Sequence, residues 1–214
     1  NKKIDSKLAT KFSKEWKEAG LEKLIKLSTT RIKKLINFHP LAAIALIDFS
    51  NRFGQSDRSL FSFILSDEPG SYRKILQQRG KQYITFSDVC NFFLTKGYQE
   101  GTLGNVDPTT AEIINNLSQA KSENMLLIEA VAGLNILSQS YDIKTNIDYL
   151  SFALDKSKKE TKNEIEEIVK SKIVTYRKYS KEYKLWQGSD VDIEQTLSTV
   201  RNKFTLEPLK SLLP

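Results

Sequence analysis

The sequence predicts a mainly α fold in which a helical, lid-like bundle is followed by a winged-helix module of three helices and a β-hairpin. Over most of the chain, apolar residues recur at steps of three and four, which is the spacing of one face of an α-helix. The segment IVTYRKYSKEYKLWQ, residues 173–187, is instead rich in β-branched and aromatic residues around a polar SKE that can form a turn. Three predicted helices directly precede it, and this order is typical of a winged helix.

The amino-terminal forty residues predict two amphipathic helices with lysines on their outer faces. The first carries apolar residues at steps of four, namely Ile4, Leu8, Phe12 and Trp16, and the second runs from Leu21 to Ile36. Residues 1–40 hold 11 Lys and Arg against 4 Asp and Glu, whereas the later charges balance at 22 against 22. We favour a solvated lysine face over a membrane-surface or phosphate-binding helix. A broad basic face on the main body is not expected.

Start signals predict the next helices. Pro40 suits a helix start because its missing N–H is one of the donors that a helix start leaves free. A short helix is predicted over residues 72–78, and another is predicted with Ser87 as its N-cap. Asp107 and Pro108 suit the N-cap and first position of a further helix.

The three helices of the winged-helix module are predicted from the same kinds of signal. The first covers Met125–Leu137, a mostly apolar segment that indicates a buried helix. Thr145 is the predicted N-cap of the second, Ile147–Leu154. A capping box of Thr161 and Glu164 precedes the third.

We expect three regions: a helical, lid-like region over 1–118, a winged-helix domain over 119–190 and a carboxyl-terminal helix over 191–214. At 214 residues and 39% hydrophobic, the chain is long enough for one large domain or two small ones. No run of about 18 apolar residues and no signal peptide occurs, so we expect a cytoplasmic protein with no membrane partner. The chain starts at Asn1 without Met, and we expect it to be a piece of a longer protein.

No catalytic motif is present in the sequence. GxxxxGK[ST], GxGxxG and GxSxG patterns are all absent. The single histidine, His39, has no second ligand or base nearby and precedes a proline, which favours a helix-capping or packing role. Cys90 lies in an apolar run without a CxxC motif or a His cluster, so we expect a small buried side chain. We therefore expect no enzyme activity, metal or cofactor for this chain alone.

Two arginines, Arg52 and Arg58, interrupt the most apolar part of the chain, residues 38–65. A buried charge costs several kcal/mol unless it is paired, so each guanidinium needs an anion. The residues alone favour an internal pair of Arg52 with Asp48 and a surface Arg58, because structural ion pairs are common. The other interpretation is that the arginines meet a multiply charged oxyanion such as a nucleotide phosphate.

Two local geometries are open for this segment. In the first, one helical face carries residues at steps of four, three and four: Asp48, Arg52, Gln55 and Ser59. In the second, a helix ends at Gly54 and the next one starts at Ser56 or Asp57, which places Arg58 in its first turn. In both, stiff apolar flanks hold the arginines in place.

DNA binding by the winged helix is the alternative function that we consider. The hairpin supplies four basic candidates for phosphate contacts: Arg177, Lys178, Lys181 and Lys184. The third predicted helix, however, starts with three glutamates that a polyanion would repel: Glu164, Glu166 and Glu167. We therefore favour packing against another domain over binding of duplex DNA.

Three segments resemble one protein family. HPLAAIALIDFSNRFGQSDRSLFSFILSDEP, residues 39–69, resembles the "HPLT…LP…RxAQNERSLFxFL" segment of large bacterial P-loop ATPases of the STAND or AAA+ like type, including those of BREX-type phage-defence systems. YKLWQGSDVDIEQTL, residues 183–197, is similar to the "YRLWEGSDFDIE" that follows the winged helix in many such ATPases. EAVAGLNIL, residues 129–137, looks like the family's "K.IGLLNL" helix and lies between the other two.

The resemblance implies a helical lid and a winged helix that follow a nucleotide-binding core. It implies that Gln55 and Arg58, with Arg52 as second choice, read the nucleotide γ-phosphate as a sensor or an arginine finger. Ser56 and Asp57 stand where the family has Asn and Glu, a change that keeps the arginine. We then expect the anionic partner of both arginines to lie outside this chain.

The implied whole protein is an ATPase, and the chain itself is a non-catalytic part of it. No Walker A or Walker B segment is present, so ATP and Mg²⁺ are expected only for the parent protein. The implied partners are the upstream nucleotide-binding domain of the same polypeptide and further copies or defence-complex proteins. The chain would sense the nucleotide state and couple it to neighbouring domains.

Overall fold

The fold is mainly α, as predicted. A computed structural model describes residues 6–23, 26, 28–35, 37–53, 59–78, 80, 82–96 and 106–186. These residues form ten α-helices and one antiparallel β-hairpin: α1 (Ser6–Glu18), α2 (Thr29–Ile32), α3 (Pro40–Phe53), α4 (Leu60–Leu65), α5 (Tyr72–Gln77), α6 (Phe86–Cys90), α7 (Pro108–Gln119), α8 (Met125–Leu137), α9 (Ile147–Leu154), α10 (Lys158–Lys170), β1 (Val174–Arg177) and β2 (Glu182–Leu185). Among the described residues, no helix is long and apolar enough to cross a membrane.

The amino-terminal region follows the prediction only for its first helix. The apolar face of α1 is buried at Phe12 and Trp16, and Gly20, at φ +74°, follows the end of the helix. The predicted second helix over 21–36 is wrong, because the described part of this segment contains a 3₁₀ turn and the four-residue helix α2. Ser28 caps α2 by accepting a hydrogen bond from the Arg31 N–H, which is a typical way for serine to start a new helix.

Helix α3 starts at Pro40 as predicted and ends at Phe53. Ser59 is extended and caps α4 in a capping box with Ser62, so the single helical face running through Ser59 is wrong. Ser59, not Ser56 or Asp57, is the N-cap of α4. Residues 54–58, which join α3 to α4, lie outside the described residues.

Helix α6 starts earlier than predicted and is followed directly by a π-helical turn. Its N-cap is Thr85, not Ser87, because Asp88 stands three residues later and completes a capping box. The chain continues directly from α6 into a π-helical turn, Asn91–Lys96. π-helical turns are rare and occur mostly as single turns within helices.

Helices α8, α9 and α10 precede the hairpin, in the predicted order, but two N-caps differ. Asn146, not Thr145, caps α9, since its side chain accepts the Tyr149 N–H. Ser157 caps α10, so the helix begins before Thr161 and the predicted capping box with Glu164 is wrong. The Thr161 hydroxyl instead donates to the Ser157 carbonyl within the helix.

We call residues 174–185, which include both strands and their turn, the wing. Val174 pairs with Leu185 and Tyr176 with Tyr183 across the two strands. The Tyr183 N–H donates to the Thr145 carbonyl at 2.7 Å, so the segment between α8 and α9 runs alongside the free edge of β2. The wing is therefore held to the helices through its backbone as well as its side chains.

One contiguous hydrophobic core contains side chains from α1 through β2. Its centre is α8, in which every residue from Leu127 to Leu137 is buried. A Cβ at Gly133 would lie 2.9 Å from Phe86 Cζ and would overlap the Cys90 sulfur, so glycine permits the close approach of α6 and α8. The boundary at residue 118 stays a prediction, and the predicted helix over 191–214 lies outside the described residues.

Candidate functional site

The Arg52 guanidinium lies where three helices meet: the last turn of α3, the start of α7 and the end of α8. Its Nε donates to Asp48 Oδ2 at 2.7 Å, within the same helix. One terminal nitrogen donates to Gln139 Oε1 at 3.0 Å, and the other donates to Ser140 Oγ at 2.7 Å. We call this set, together with Asp107, the Arg52 junction.

Asp107 connects the start of α7 to this junction. It is the N-cap of α7 and accepts the Thr110 N–H at 2.9 Å, while its other oxygen lies 3.3 Å from an Arg52 nitrogen. Burial acts to raise the pKa of Asp107, but the hydrogen bonds from Thr110 and the charge of Arg52 outweigh it and lower the pKa below the usual value. The carboxylate is thus charged at neutral pH, and it is bonded to Thr110 of α7 and to Arg52 of α3.

The expectation that Arg52 lacks an anionic partner within this chain is wrong. Its side chain is 18% exposed and lies against the Asp48 carboxylate, which is 8% exposed. The internal pair of Arg52 with Asp48 is therefore confirmed, as their spacing of four residues favours. Gln55 and Arg58 lie outside the described residues, so their role in nucleotide sensing stays a prediction.

The last turn of α8 joins the Arg52 junction to the wing. An Arg52 nitrogen lies 3.5 Å from the Ile136 carbonyl. The neighbouring residue, Asn135, is buried; its amide donates to Thr145 Oγ1 at 2.7 Å and to the Tyr183 carbonyl at 2.9 Å, and it accepts the Leu185 N–H at 3.3 Å. One helical turn is therefore bonded to Arg52 and, through Asn135, to β2.

A second polar cluster surrounds Asp155, which ends α9 in a left-handed conformation at φ +53°. Its carboxylate accepts the Tyr83 hydroxyl at 2.6 Å and is paired with Lys11 of α1. Burial acts to raise the pKa of Asp155, but these hydrogen bonds and the Lys11 charge lower it overall. His39 lies nearby, and its Nδ1 accepts the Leu41 N–H, which confirms the capping role.

A third cluster surrounds Glu129 of α8, which is 2% exposed. Its Oε1 accepts hydrogen bonds from Asn91 Nδ2 and Thr95 Oγ1, each at 2.8 Å, and both donors lie on the π-helical turn. Burial raises the pKa of Glu129 above its usual value. Cys90 next to this cluster is buried, as predicted, and burial raises its thiol pKa well above the ordinary value.

The four basic candidates for nucleic-acid contact all lie on the wing. Arg177 ends β1, Lys178 and Lys181 lie in the turn, and Lys184 lies in β2. The Lys184 ammonium is 3.3 Å from the Glu182 carboxylate, so Lys184 has an acidic partner on the wing. The structure brings these four residues together on the wing.

Within the described ranges, no group of three His, Cys, Asp or Glu side chains could hold a metal ion. Comparison of the chain with protein-family models, with curated proteins and with solved structures found no match. All three clusters bond the helical region to the helices of the winged-helix order, and among them the Arg52 junction is the one that begins in the helical turn next to residues 54–58. It is therefore the feature on which we base the functional argument.

Proposed function

We propose that this chain is a non-catalytic part of a bacterial P-loop ATPase of the phage-defence type. Its helical, lid-like region senses the nucleotide state, and the winged helix passes that state to neighbouring domains. The observation that carries the proposal is the Arg52 junction, because a single side chain bonds α3, α7 and α8. The family resemblance of residues 39–69 supplies the nucleotide part of the proposal.

The first step of the coupling is at the end of α3. Residues 54–58, which include Gln55 and Arg58, follow Phe53 directly, so a displacement of this segment would act on the last turn of α3. Arg52 lies in that turn and is held by hydrogen bonds to Gln139 and Ser140. Moving the turn would require these bonds to break together, which favours two discrete arrangements over a gradual one.

The second step runs through the last turn of α8. Asn135 is adjacent to Ile136, the residue whose carbonyl faces Arg52, and it bonds the backbone of β2 at two positions. A rotation of this turn would therefore displace the wing. Contiguous hydrogen-bonded contacts of this kind are a physical route for coupling two sites, and a test of the coupling itself is required.

Arg52 acts in this proposal as a positioning residue, since its donors are used within the chain. Gln55 and Arg58 are the residues that would approach the γ-phosphate, where a guanidinium stabilises the charge of the transferring phosphoryl group. ATP and Mg²⁺ would be held by the upstream nucleotide-binding domain. The chain alone would neither bind ATP tightly nor hydrolyse it.

The test uses the parent polypeptide that contains this chain. We expect Arg58→Ala to lower ATP turnover by about a hundredfold, because removal of one charge-stabilising donor typically costs this much. Arg73→Ala is the matched control, since Arg73 lies on α5 with a side chain that is 58% exposed. Unchanged turnover with Arg58→Ala would contradict the sensing role.

A second variant separates coupling from sensing. Arg52→Lys keeps the charge but loses the planar fork that contacts several partners at once. We expect ATP turnover to persist while nucleotide no longer changes hydrogen exchange in the wing. If the nucleotide response of the wing were the same in Arg52→Lys and in the unmodified protein, the coupling route through Arg52 would be excluded.

A further inference from the structure

We propose that the wing is a binding site for single-stranded nucleic acid. Bases would stack on Tyr179 and Tyr176, and the ammonium groups of Lys178 and Lys181 would contact the phosphates. The proposal is independent of the coupling role, because it concerns binding by this chain alone. A failure of either proposal would leave the test of the other unchanged.

Two tyrosine rings are exposed at the outer end of the wing. Tyr179 in the turn is 73% exposed and Tyr176 in β1 is 42% exposed. At the inner end of the wing, Val174 and Leu185 are buried, with exposed fractions of 1% and 2%. The Tyr176 ring rests on Tyr183, with the ring centroids 4.8 Å apart. An aromatic ring that is braced on one side and open to solvent offers a surface on which an unpaired base can stack.

Positive charge accompanies these rings. Residues 170–186 hold six lysines and arginines and one acidic residue, Glu182, which is already paired with Lys184. Lys178 and Lys181 are exposed and form no ion pair with any described carboxylate. Aromatic rings interleaved with ammonium groups are the combination that holds a single strand without reading its sequence.

Helix α10, in contrast, carries balanced charge. Lys162 lies 3.9 Å from Glu166, and Lys156, just before α10, lies 2.6 Å from Glu164. A helix that enters the major groove needs basic or polar groups facing the bases, and these glutamates would be repelled by the phosphates. The observations therefore favour binding of a single strand on the wing over insertion of α10 into a duplex.

The wing is also rigidly positioned, which lowers the entropic cost of binding. Asn135 bonds two backbone groups of β2, and the Trp186 N–H donates to the Ile173 carbonyl at 2.9 Å at the base of the wing. Lys181 is left-handed at φ +55°, which fixes the turn that presents Tyr179. The backbone that carries the rings and cations thus has a defined position before any ligand arrives.

The test measures fluorescence anisotropy of a labelled oligothymidylate of roughly 16 nucleotides with the 214-residue chain, at about 50 mM salt. We expect Tyr179→Ala to weaken affinity about tenfold and Tyr179→Phe to stay within about twofold, since stacking needs the ring and not the hydroxyl. Replacing Lys178 and Lys181 by Gln should weaken affinity and lower the salt slope by about 1.4, as expected when two phosphate contacts to a single strand are lost.

The matched control replaces Lys159 and Lys162 of α10 by Gln, which removes the same charge from a different surface. We expect no change in oligothymidylate affinity from this variant. The proposal would be overturned if Tyr179→Ala left the binding unchanged. It would also be overturned if the α10 variant lost the binding and the unmodified chain preferred a duplex to the single strand. No binding at low salt would also overturn it and would assign the exposed tyrosines to protein contacts.

Discussion

His39 has a buried ring enclosed by aromatic side chains. The ring centroids of Phe12 and Phe152 lie 4.8 and 4.4 Å from that of His39, and the residue is 1% exposed. Burial lowers the pKa of His39 to about 3, so the imidazole is neutral at physiological pH. The ring serves the fold as an acceptor at the start of α3, and no nucleophile or metal ligand set among the described residues uses it.

The pKa of His39 makes stability depend on pH. The folded value of about 3 is below the ordinary 6.5, so between these values the unfolded chain binds a proton that the folded chain does not. The contribution of neutral His39 to the free energy of unfolding should be fully present above about pH 6.5. It should fall by about 1.4 kcal/mol per pH unit as the pH drops below that value. Urea unfolding between about pH 5 and 6.5 measures this slope, since most carboxylates titrate below that window.

His39→Asn is the matched variant, because Asn also accepts a hydrogen bond at a helix start but does not titrate. We expect its pH slope in this window to be lower than that of the unmodified chain by the contribution of one proton. Equal slopes would mean that the folded chain protonates His39 at its ordinary pKa and that the ring is accessible to water.

At the residue scale, the sequence predicted the contacts that are local. The helical spacing predicted the pair of Arg52 and Asp48, and Asp107 was predicted as a helix cap. Gln139 and Ser140 were missed because they lie 87 and 88 positions from Arg52, and no pattern in the chain connects them. The conclusion that Arg52 needs an external anion failed because Asp48, on the same helix, and Asp107, at the start of α7, are its anionic partners.

At the scale of elements, Asn135 fixes the wing to α8. Replacement by Ala would leave the Tyr183 carbonyl, the Leu185 N–H and the Thr145 hydroxyl without this partner, at positions that are buried or partly buried. We expect Asn135→Ala to lower the free energy of unfolding by about 2 kcal/mol or more, since unsatisfied buried polar groups are costly. Chemical denaturation checks the loss.

Asn163 of α10 is the control for this substitution, because its side chain is exposed. Asn163→Ala should change stability by no more than about 0.5 kcal/mol. Hydrogen exchange should also show faster exchange at Leu185 in Asn135→Ala and not in Asn163→Ala. An Asn135→Ala chain as stable as the control would mean that water or another side chain replaces the amide.

The helix starts show how far local signals reach. Pro40, Asp107 and Pro108 were placed correctly, because a proline or an N-cap aspartate has few other uses at those positions. The caps of α6, α9 and α10 were misplaced by one to four residues where Ser, Thr and Asn stand close together. Each of these side chains can cap a helix, and tertiary packing selects among them.

At the scale of the whole molecule, the contiguous core predicts a single unfolding transition. Helix α8 packs against the helical region through α3 and α6 and against β2 of the wing, so neither predicted region is complete without it. One tryptophan lies in each predicted region, Trp16 in α1 and Trp186 after the wing, and the Trp16 ring also contacts Phe152 of α9. In Trp16→Phe the fluorescence follows Trp186, and in Trp186→Phe it follows Trp16. In each variant we expect the fluorescence midpoint to coincide with the circular-dichroism midpoint of the same variant.

Two separate midpoints within one variant, by fluorescence and by circular dichroism, would instead support independent domains that meet near residue 118. Periodicity in the sequence cannot decide between these outcomes. It shows that Leu127–Leu137 is mostly apolar and therefore buried, but it does not show which elements cover it. The fold class was predictable because helix spacing is local, whereas the shared core depends on contacts between distant segments.

The π-helical turn Asn91–Lys96 makes the length of its segment as important as its composition. Such a turn holds more residues than an α-helical turn, so deletion of one residue between Asn91 and Thr95 would convert it to an α-helical turn and change the spacing of these two donors from four residues to three. We then expect the buried Glu129 side chain to lose one of its two donors. Insertions and deletions should therefore be tolerated far less in this turn than point substitutions on its outer surface.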